Sequence, residues 1–200
     1  MTAKINSWWL VILIGITAFV TIAVMSDQIF EHVPHSEDEV AYIFQAKVFA
    51  QNRLAVPTPP LSSAFWSPFV VDYEGQRFSN KYPIGWSFLL SLGLRLGAPW
   101  LINTILGTVT LAVIAWLGYC FYCSQHIAEM CYIPVAAAVL TLVTPGFLFL
   151  SSSLLSHAAS LFWAALTVLA LFYLTPANLT PANEGSNPLP VRTQRQTSRT

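Results

Sequence analysis

The residues best suited to chemistry are charged side chains that lie between long apolar segments. Glu37, Asp38 and Glu39 form an acidic cluster directly after Ser36, and neighbouring carboxylates can serve as a general base or hold a metal ion. A structural role also fits, because carboxylates in the first turn of a helix favour its dipole. Ser36 followed by Glu39 matches a capping box, which occupies Glu39 and leaves Asp38 as the freer carboxylate.

Two further residues that can carry positive charge, Lys81 and His157, lie where apolar segments begin. Lys81 precedes a short apolar segment, where its ammonium could neutralise a phosphate leaving group or simply extend to a membrane surface. His157 opens the last apolar segment after a run of serines. A histidine there could cap a helix or lie at the membrane interface as well as serve a site.

A third group combines Cys120, Cys123, His126 and Cys131, which are residue types that zinc prefers. Cys120 and Cys123 fall at the end of an apolar segment, however, and free cysteine is common as a small buried apolar residue. A zinc site and plain burial both remain open. Three cysteines so close together do not suggest a disulfide framework.

The composition decides which elements must position these residues. Hydrophobic residues make up 55% of the 200-residue chain and charged residues only 9%, whereas soluble domains carry about 25% charged residues. A soluble domain is therefore excluded, and a net charge of zero gives no basis for binding nucleic acid. The sequence predicts an all-α, multi-pass transmembrane bundle whose partner is membrane lipid.

Helical spans need roughly 20 apolar residues to cross a bilayer core. The stretches that meet or approach this length are Ser7–Met25, Pro99–Tyr122, Tyr132–Leu150 and His157–Leu174. A further stretch, Ile84–Leu96, is apolar but short, and we interpret it as a re-entrant or interfacial half-helix. The alternative is a short full span, which would invert the orientation of everything after it.

The distribution of positive charge favours the half-helix. Lys4 places the N-terminus in the cytoplasm and the loop 26–83 outside. With a half-helix, the arginines of the tail also end in the cytoplasm, whereas a full span would place them outside. The membrane region is thus residues 1–174, and the polar, proline-rich tail 175–200 is expected to be disordered.

The external loop should begin with an amphipathic helix that lies along the membrane surface. Its apolar stripe consists of Val40, Ile43, Phe44 and Val48, and the helix is predicted to run to about Arg53. Prolines at positions 57, 59 and 60 then prevent it from continuing. The aromatic residues that follow, Phe65, Trp66 and Phe69, are expected to act as interfacial anchors. The segment Tyr73–Gln76 then has turn character.

Several short motifs of this loop resemble the first external loop of GT-C glycosyltransferases. The resemblance is to the branch that contains protein O-mannosyltransferases, lipid A aminoarabinose transferases and related bacterial membrane proteins. It rests on the strings Asp38-Glu39-Val40-Ala41-Tyr42, Gln45-Ala46-Lys47, Asn52-Arg53-Leu54, Lys81-Tyr82-Pro83-Ile84-Gly85-Trp86 and Ser153-Leu154-Leu155-Ser156-His157. The order of these strings and their placement relative to the spans, over roughly Trp8 to Leu174, are similar to that branch.

The resemblance implies a GT-C-like fold and a specific activity. Family members transfer a sugar from a polyprenyl-phosphate or polyprenyl-diphosphate donor on the non-cytoplasmic face, here of a bacterial inner membrane. By analogy, Asp38 would act as the base on the acceptor or orient it, and Glu39 would support it or bind a divalent metal. Lys81 would contact the donor phosphate, with Tyr82 and His157 also binding substrate.

The sequence departs from that branch at three points. Ile84 stands where a second proline is more common, and His157 stands where many members have aspartate, so the resemblance supplies no second catalytic carboxylate at that position. The chain also matches only the N-terminal part of such enzymes, and we therefore expect weak or no transfer by the chain alone. The alternative function is a non-catalytic assembly or lipid-binding protein on the same scaffold.

Overall fold

A computed structural model describes residues 7–79, 81–122 and 132–174, and these are mostly helical. The helices are α1 (Ser7–Gln28), α2 (Glu37–Ala50), α3 (Ile84–Arg95), α4 (Trp100–Tyr122), α5 (Ile133–Leu142), α6 (Pro145–Ser152) and α7 (His157–Leu174), with a 3-10 turn at Ser62–Phe65. Three short strands are β1 (Val56–Pro57), β2 (Val70–Tyr73) and β3 (Gln76–Ser79). The helical prediction is confirmed, but the all-α expectation missed this small sheet. The predicted tail 175–200 lies outside the described residues.

Three of these helices are long and apolar enough to cross a membrane, namely α1, α4 and α7. A fourth crossing arises if α5 and α6 together form one broken span. Helix α3 is apolar but has only 12 residues, and at about 1.5 Å per residue it reaches only partway across a core of about 30 Å. These lengths and compositions are those of an integral membrane protein.

The predicted single span Tyr132–Leu150 is wrong as one continuous helix. The chain bends by 63° between α5 and α6. Pro145 explains the break, because a proline lacks the N–H that the helix ladder needs and restricts the residue before it to extended backbone. Thr144 is accordingly extended, with φ −76° and ψ 111°.

Aromatic contacts fix the relative directions of the long helices. Trp8 near the start of α1 contacts Trp116 near the end of α4, with ring centroids 5.3 Å apart. Trp116 also donates a hydrogen bond of 2.9 Å to the hydroxyl of Tyr173 at the end of α7. At the opposite end, His32 stacks on Trp100 with centroids 4.7 Å apart. Helix α1 therefore runs antiparallel to α4 and α7, and the end of α1 and the starts of α4 and α7 lie together.

Helices α2 and α3 pack on each other at this same end. Arg95 of α3 donates hydrogen bonds to the carbonyl of Phe49 (3.0 Å) and to the side chain of Asn52 (2.6 Å). Trp86 of α3 donates from its indole nitrogen to the carbonyl of Leu154, 3.0 Å away, just before α7. The interpretation of residues 84–96 as a re-entrant or interfacial half-helix stays a prediction.

Helix α2 ends three residues before the predicted boundary at Arg53. Asn52 adopts a left-handed backbone with φ 59°. Its N–H bonds to the carbonyl of Phe49, and the N–H of Arg53 bonds to the carbonyl of Val48. These two bonds form a Schellman motif with asparagine in the left-handed position, and that motif closes the helix.

The predicted apolar stripe of α2 is only partly the buried face. Val40 is exposed, whereas Tyr42, Ala46 and Phe49 are buried together with the polar Gln45. Gln45 donates to the carbonyl of Leu54 (3.0 Å) and accepts from the N–H of Ser79 (2.8 Å). This face of α2 is buried because α3 and strand β3 pack against it. The hydrophobic periodicity of α2 alone could not predict which face these distant elements cover.

The segment between α2 and α3 forms a small antiparallel sheet in the order β1-β3-β2. The predicted turn at Tyr73–Gln76 is confirmed. Glu74 and Gly75 both have positive φ, 48° and 73°, and they connect β2 to β3 as a two-residue turn of type I′. Buried Arg77 holds this segment together, since its guanidinium bonds to Asp72 and to the carbonyls of Ser62 and Phe65.

A close helix crossing inside the bundle gives a stability prediction. A Cβ atom built on Gly107 of α4 would lie 2.8 Å from Oγ and 2.9 Å from Cβ of Ser151 in α6. Gly107→Ala should therefore destabilise the protein by about 1–3 kcal/mol through overpacking. The readout is the thermal unfolding midpoint of the purified chain in detergent.

The matched control is Gly118→Ala in the same helix, where the nearest atom would be 3.4 Å away in ordinary contact. This variant should lose nothing, because alanine favours a helix over glycine by about 1 kcal/mol. Equal midpoints for the two variants would mean that α4 and α6 do not approach as closely as described.

Candidate functional site

Three separate segments bring polar side chains to one cavity at the end of the long helices. The cavity has a volume of about 720 Å³. Asp38 from the first turn of α2, Tyr82 from the segment before α3 and His157 from the start of α7 all line it. Its remaining wall is largely apolar or aromatic and comprises Tyr42, Pro83, Gly85, Trp86, Phe88, Leu89, Ser156, Ala159, Ser160 and Trp163.

Glu39 holds the start of α2 in place. The predicted capping box is present: Ser36 accepts a hydrogen bond from the N–H of Glu39, and the Glu39 carboxylate accepts from the N–H of Ser36 (3.0 Å). The same carboxylate oxygen accepts from the N–H of His35 (2.7 Å). Its other oxygen accepts from the N–H of Leu154, 2.8 Å away in the connection between α6 and α7.

These contacts give Glu39 a structural position rather than a place in the cavity. Its side chain is only 2% exposed, and both carboxylate oxygens have backbone N–H partners. A buried carboxylate is tolerable because several N–H donors replace its water. The prediction that Asp38 is the freer of the two carboxylates agrees with this geometry, and a direct catalytic or metal-binding role for Glu39 stays a prediction.

Asp38 forms an ion pair with Lys81. The Lys81 Nζ atom lies 3.3 Å from a carboxylate oxygen of Asp38, and each side chain is 41% exposed. A pair this accessible is screened by water and contributes less than about 1 kcal/mol to stability. The pair is therefore weak enough to be exchanged for a ligand.

Aromatic rings hold the ammonium group of Lys81 from the other side. Its Nζ lies 3.4 Å from the centroid of the Phe69 ring and 4.7 Å from that of Tyr82. Cation–π attraction favours the charged ammonium here, and the neighbours Tyr82 and Asp38 raise the pKa of Lys81 above its ordinary value. Phe69 thus contacts Lys81. The sequence predicted an interfacial anchor at Phe69 but not this contact.

Tyr82 completes the group around Asp38. Its buried hydroxyl forms no hydrogen bond of standard geometry with a described residue, yet its proximity is the main influence that lowers the pKa of the Asp38 carboxyl. Lys81 and His157 lower that pKa further, against the opposing effect of desolvation. Asp38 is consequently a carboxylate at neutral pH.

His157 lies where α7 begins, with its side chain exposed to the cavity. The residue before it, Ser156, shares a hydrogen bond of 3.1 Å with the hydroxyl of Tyr42 in α2. This bond ties the start of α7 to the helix that carries Asp38. Asp38, Tyr82 and His157 therefore line the same cavity, and Lys81 contacts Asp38 beside it.

Sequence patterns missed the residues that assemble the site. Tyr42, Gln45 and Trp86 use side-chain hydrogen bonds to join α2, β3, α3 and the start of α7. All three lie within the strings that resemble GT-C glycosyltransferases, and each is polar within an apolar stretch, where a buried polar side chain requires a partner. The identity of that partner depends on segments far away in the chain.

The four residues considered as zinc ligands fall mostly outside the described residues, where Cys123, His126 and Cys131 lie. Cys120 is described and buried, with its sulfur 3.6 Å from the hydroxyl of Tyr173. Within residues 7–79, 81–122 and 132–174, no cluster of three or more histidine, cysteine, aspartate or glutamate side chains could hold a metal ion.

Comparisons with known proteins identify no relative of this chain. No family model matches it, and neither a curated protein nor a solved structure matches it.

The two neighbouring carboxylates should respond differently to the same chemical change. Glu39→Gln replaces one acceptor oxygen with an NH₂ group that faces a backbone N–H, so it should cost about 1–3 kcal/mol of stability. Asp38→Asn removes only an exposed ion pair and should cost less than about 1 kcal/mol. Thermal unfolding of both variants in detergent measures the difference. Equal losses would show that Asp38 is part of the framework.

Proposed function

We propose that the protein is a membrane glycosyltransferase, or the N-terminal part of one. It transfers a sugar from a polyprenyl-phosphate-linked donor to an acceptor on the non-cytoplasmic face. One observation supports this most: Asp38, Tyr82 and His157, from three distant segments, line one cavity at the ends of the long apolar helices, and Lys81 pairs with Asp38 beside it. The resemblance of the loop motifs to GT-C glycosyltransferases assigns these same residues to donor and acceptor.

The position of the cavity suits a lipid-linked donor. The polyprenyl chain keeps the donor in the bilayer, so its phosphate lies at headgroup depth, where the long helices end. A volume of about 720 Å³ falls within the range of about 300–1,000 Å³ that small-molecule sites occupy. Aromatic rings such as Trp86 and Tyr82 provide flat surfaces for a sugar, and the hydroxyls of Ser156 and Ser160 provide polar contacts.

Orientation follows from the positive charges of the termini. Lys4 and the arginines of the tail favour the cytoplasm, so the loop 26–83 and the cavity face the opposite side. A bacterial inner membrane is the setting that the family resemblance implies. Membrane lipid and the donor are then the partners, and the resemblance leaves the use of a divalent metal open.

The proposed reaction forms one bond, breaks one bond and transfers one proton. The acceptor hydroxyl oxygen attacks the anomeric carbon of the sugar, and the bond between that carbon and the phosphate oxygen breaks. The leaving group is the polyprenyl phosphate, which takes the bonding electrons. The acceptor proton passes to the Asp38 carboxylate and then to solvent.

The low pKa of Asp38 shapes its role. A carboxylate whose pKa is depressed is a weak base toward a resting hydroxyl. It therefore orients the acceptor by accepting its hydrogen bond and takes the proton only as the oxygen becomes acidic during attack. Lys81 supplies positive charge to the phosphate as negative charge develops on it.

The resting ion pair links the two roles. Asp38 and Lys81 hold each other before substrate arrives. A donor phosphate competes for Lys81, because it offers several charged oxygens to the ammonium. Donor binding then frees the Asp38 carboxylate for the acceptor hydroxyl, which orders the two substrates.

Variants of the ion pair test this proposal. In an assay sensitive enough to detect the weak transfer expected of the chain, Asp38→Asn should reduce sugar transfer by about 100-fold or more, as expected for a lost general base. Donor binding should be retained or tightened, because Lys81 no longer pairs with Asp38. Lys81→Met should weaken donor binding by about fivefold, the contribution of one cation at an anionic headgroup. The measurements are transfer of labelled sugar from a polyprenyl-phosphate donor and binding of that donor to the purified chain.

The control is Lys47→Met, since Lys47 is an exposed lysine of α2 outside the cavity, and it should leave both quantities unchanged. Unchanged transfer in Asp38→Asn removes this residue from the mechanism. Donor binding without any turnover by the unmodified chain, together with co-purification of a stable partner, would favour the non-catalytic assembly or lipid-binding alternative.

A further inference from the structure

A second cavity lies on the other side of the N-terminal part of α3. It has a volume of about 400 Å³ and sits between the end of α2 and α3. Gly85 and Phe88 line both this cavity and the larger one, so the N-terminal part of α3 separates the two cavities. The other residues that line the smaller cavity are Phe49, Asn52, Arg53, Leu54, Ile84 and Arg95.

The charged groups of this cavity all have the same sign. Arg53 and Arg95 line it, and none of its lining residues is acidic. Arg53 is exposed, and among the described residues it has no ion-pair partner. Two guanidinium groups without a carboxylate favour a ligand that brings its own negative charge.

Arg95 is held ready for such a ligand. Its Nη2 atom donates to the carbonyl of Phe49 at 3.0 Å and to the side chain of Asn52 at 2.6 Å. No described residue takes the hydrogens on Nε and Nη1. Because the anchoring bonds come from the Schellman end of α2, the guanidinium is fixed in direction and loses little freedom on binding an anion.

The rest of the wall is apolar and open to its surroundings. Leu54 is 79% exposed, Ile84 is 65% exposed and Phe88 is 54% exposed. A small inorganic anion gains nothing from such walls, whereas an acyl chain buries apolar surface against them. Charge and apolar surface together point to a lipid.

We propose that this cavity binds one anionic glycerophospholipid. Its phosphate group lies between Arg53 and Arg95, and its acyl chains follow Ile84 and Phe88. In the function proposed above, the donor phosphate lies beside Asp38 and Lys81, on the other side of the N-terminal part of α3, so we assign this cavity to a bulk lipid rather than to the sugar donor. The site is therefore a lipid-binding site separate from the one proposed for the sugar donor.

Titration of the full chain with defined lipids tests this site by native mass spectrometry in a neutral detergent. Phosphatidylglycerol should be retained as one molecule per chain and should bind more tightly than zwitterionic phosphatidylcholine. Arg53→Gln should weaken phosphatidylglycerol binding by about fivefold, the contribution expected of one arginine at an anionic headgroup. Lys47→Gln, which removes an exposed cation of α2 outside this cavity, should leave it unchanged.

Arg53 is the decisive position because Arg95 also bonds to the end of α2, so Arg95→Gln could weaken folding as well as binding. Helix content by circular dichroism identifies a folded Arg95→Gln variant, which should show the same loss as Arg53→Gln. Equal binding of the two phospholipids, or unchanged binding in Arg53→Gln, would overturn the proposal. So would displacement of the lipid by inorganic phosphate, which indicates a free-anion site, or by polyprenyl phosphate at lower concentration than phosphatidylglycerol, which indicates a donor site.

Discussion

The arrangement of the cavity depends on one buried carboxylate. Glu39 accepts backbone hydrogen bonds from the segment before α2 and from the connection between α6 and α7. These segments are more than a hundred residues apart in the chain, and without compensation a buried carboxylate would carry a large desolvation cost. Satisfying Glu39 therefore requires α2 and the start of α7 to lie together, and this requirement places Asp38 and His157 on the same cavity.

The adjacent carboxylate has the opposite environment, and the contrast separates framework from chemistry. Asp38 is one residue away, yet it is partly exposed, and its ion-pair partner among the described residues is a solvent-accessible lysine. A buried group with all its partners is rigid, whereas a screened ion pair can be exchanged for substrate at little energetic cost. In the function that we propose, Glu39 therefore holds the start of α2 in place and Asp38 contacts the substrate.

Local sequence predicted the local features and missed the long-range ones. The capping box at Ser36, the apolar lengths of α1, α4 and α7, and the turn at Glu74–Gly75 follow from short-range rules. The break before Pro145 was not predicted, because the apolar composition is continuous from Tyr132 to Leu150 and indicated a single span. The links made by Gln45, Trp86 and the far oxygen of Glu39 could not be predicted, because each joins a side chain to a distant backbone group whose position only the fold provides.

Photo-crosslinking tests most directly whether this cavity holds a lipid-linked sugar. A polyprenyl-phosphate donor with a diazirine on its sugar would be bound to the purified chain and irradiated, and the labelled peptides would be mapped by mass spectrometry. The proposed function predicts adducts within residues 81–89 and 156–163, which include the cavity wall, and their loss when unlabelled donor competes. Labelling confined to other segments, or labelling that unlabelled donor does not reduce, would contradict it.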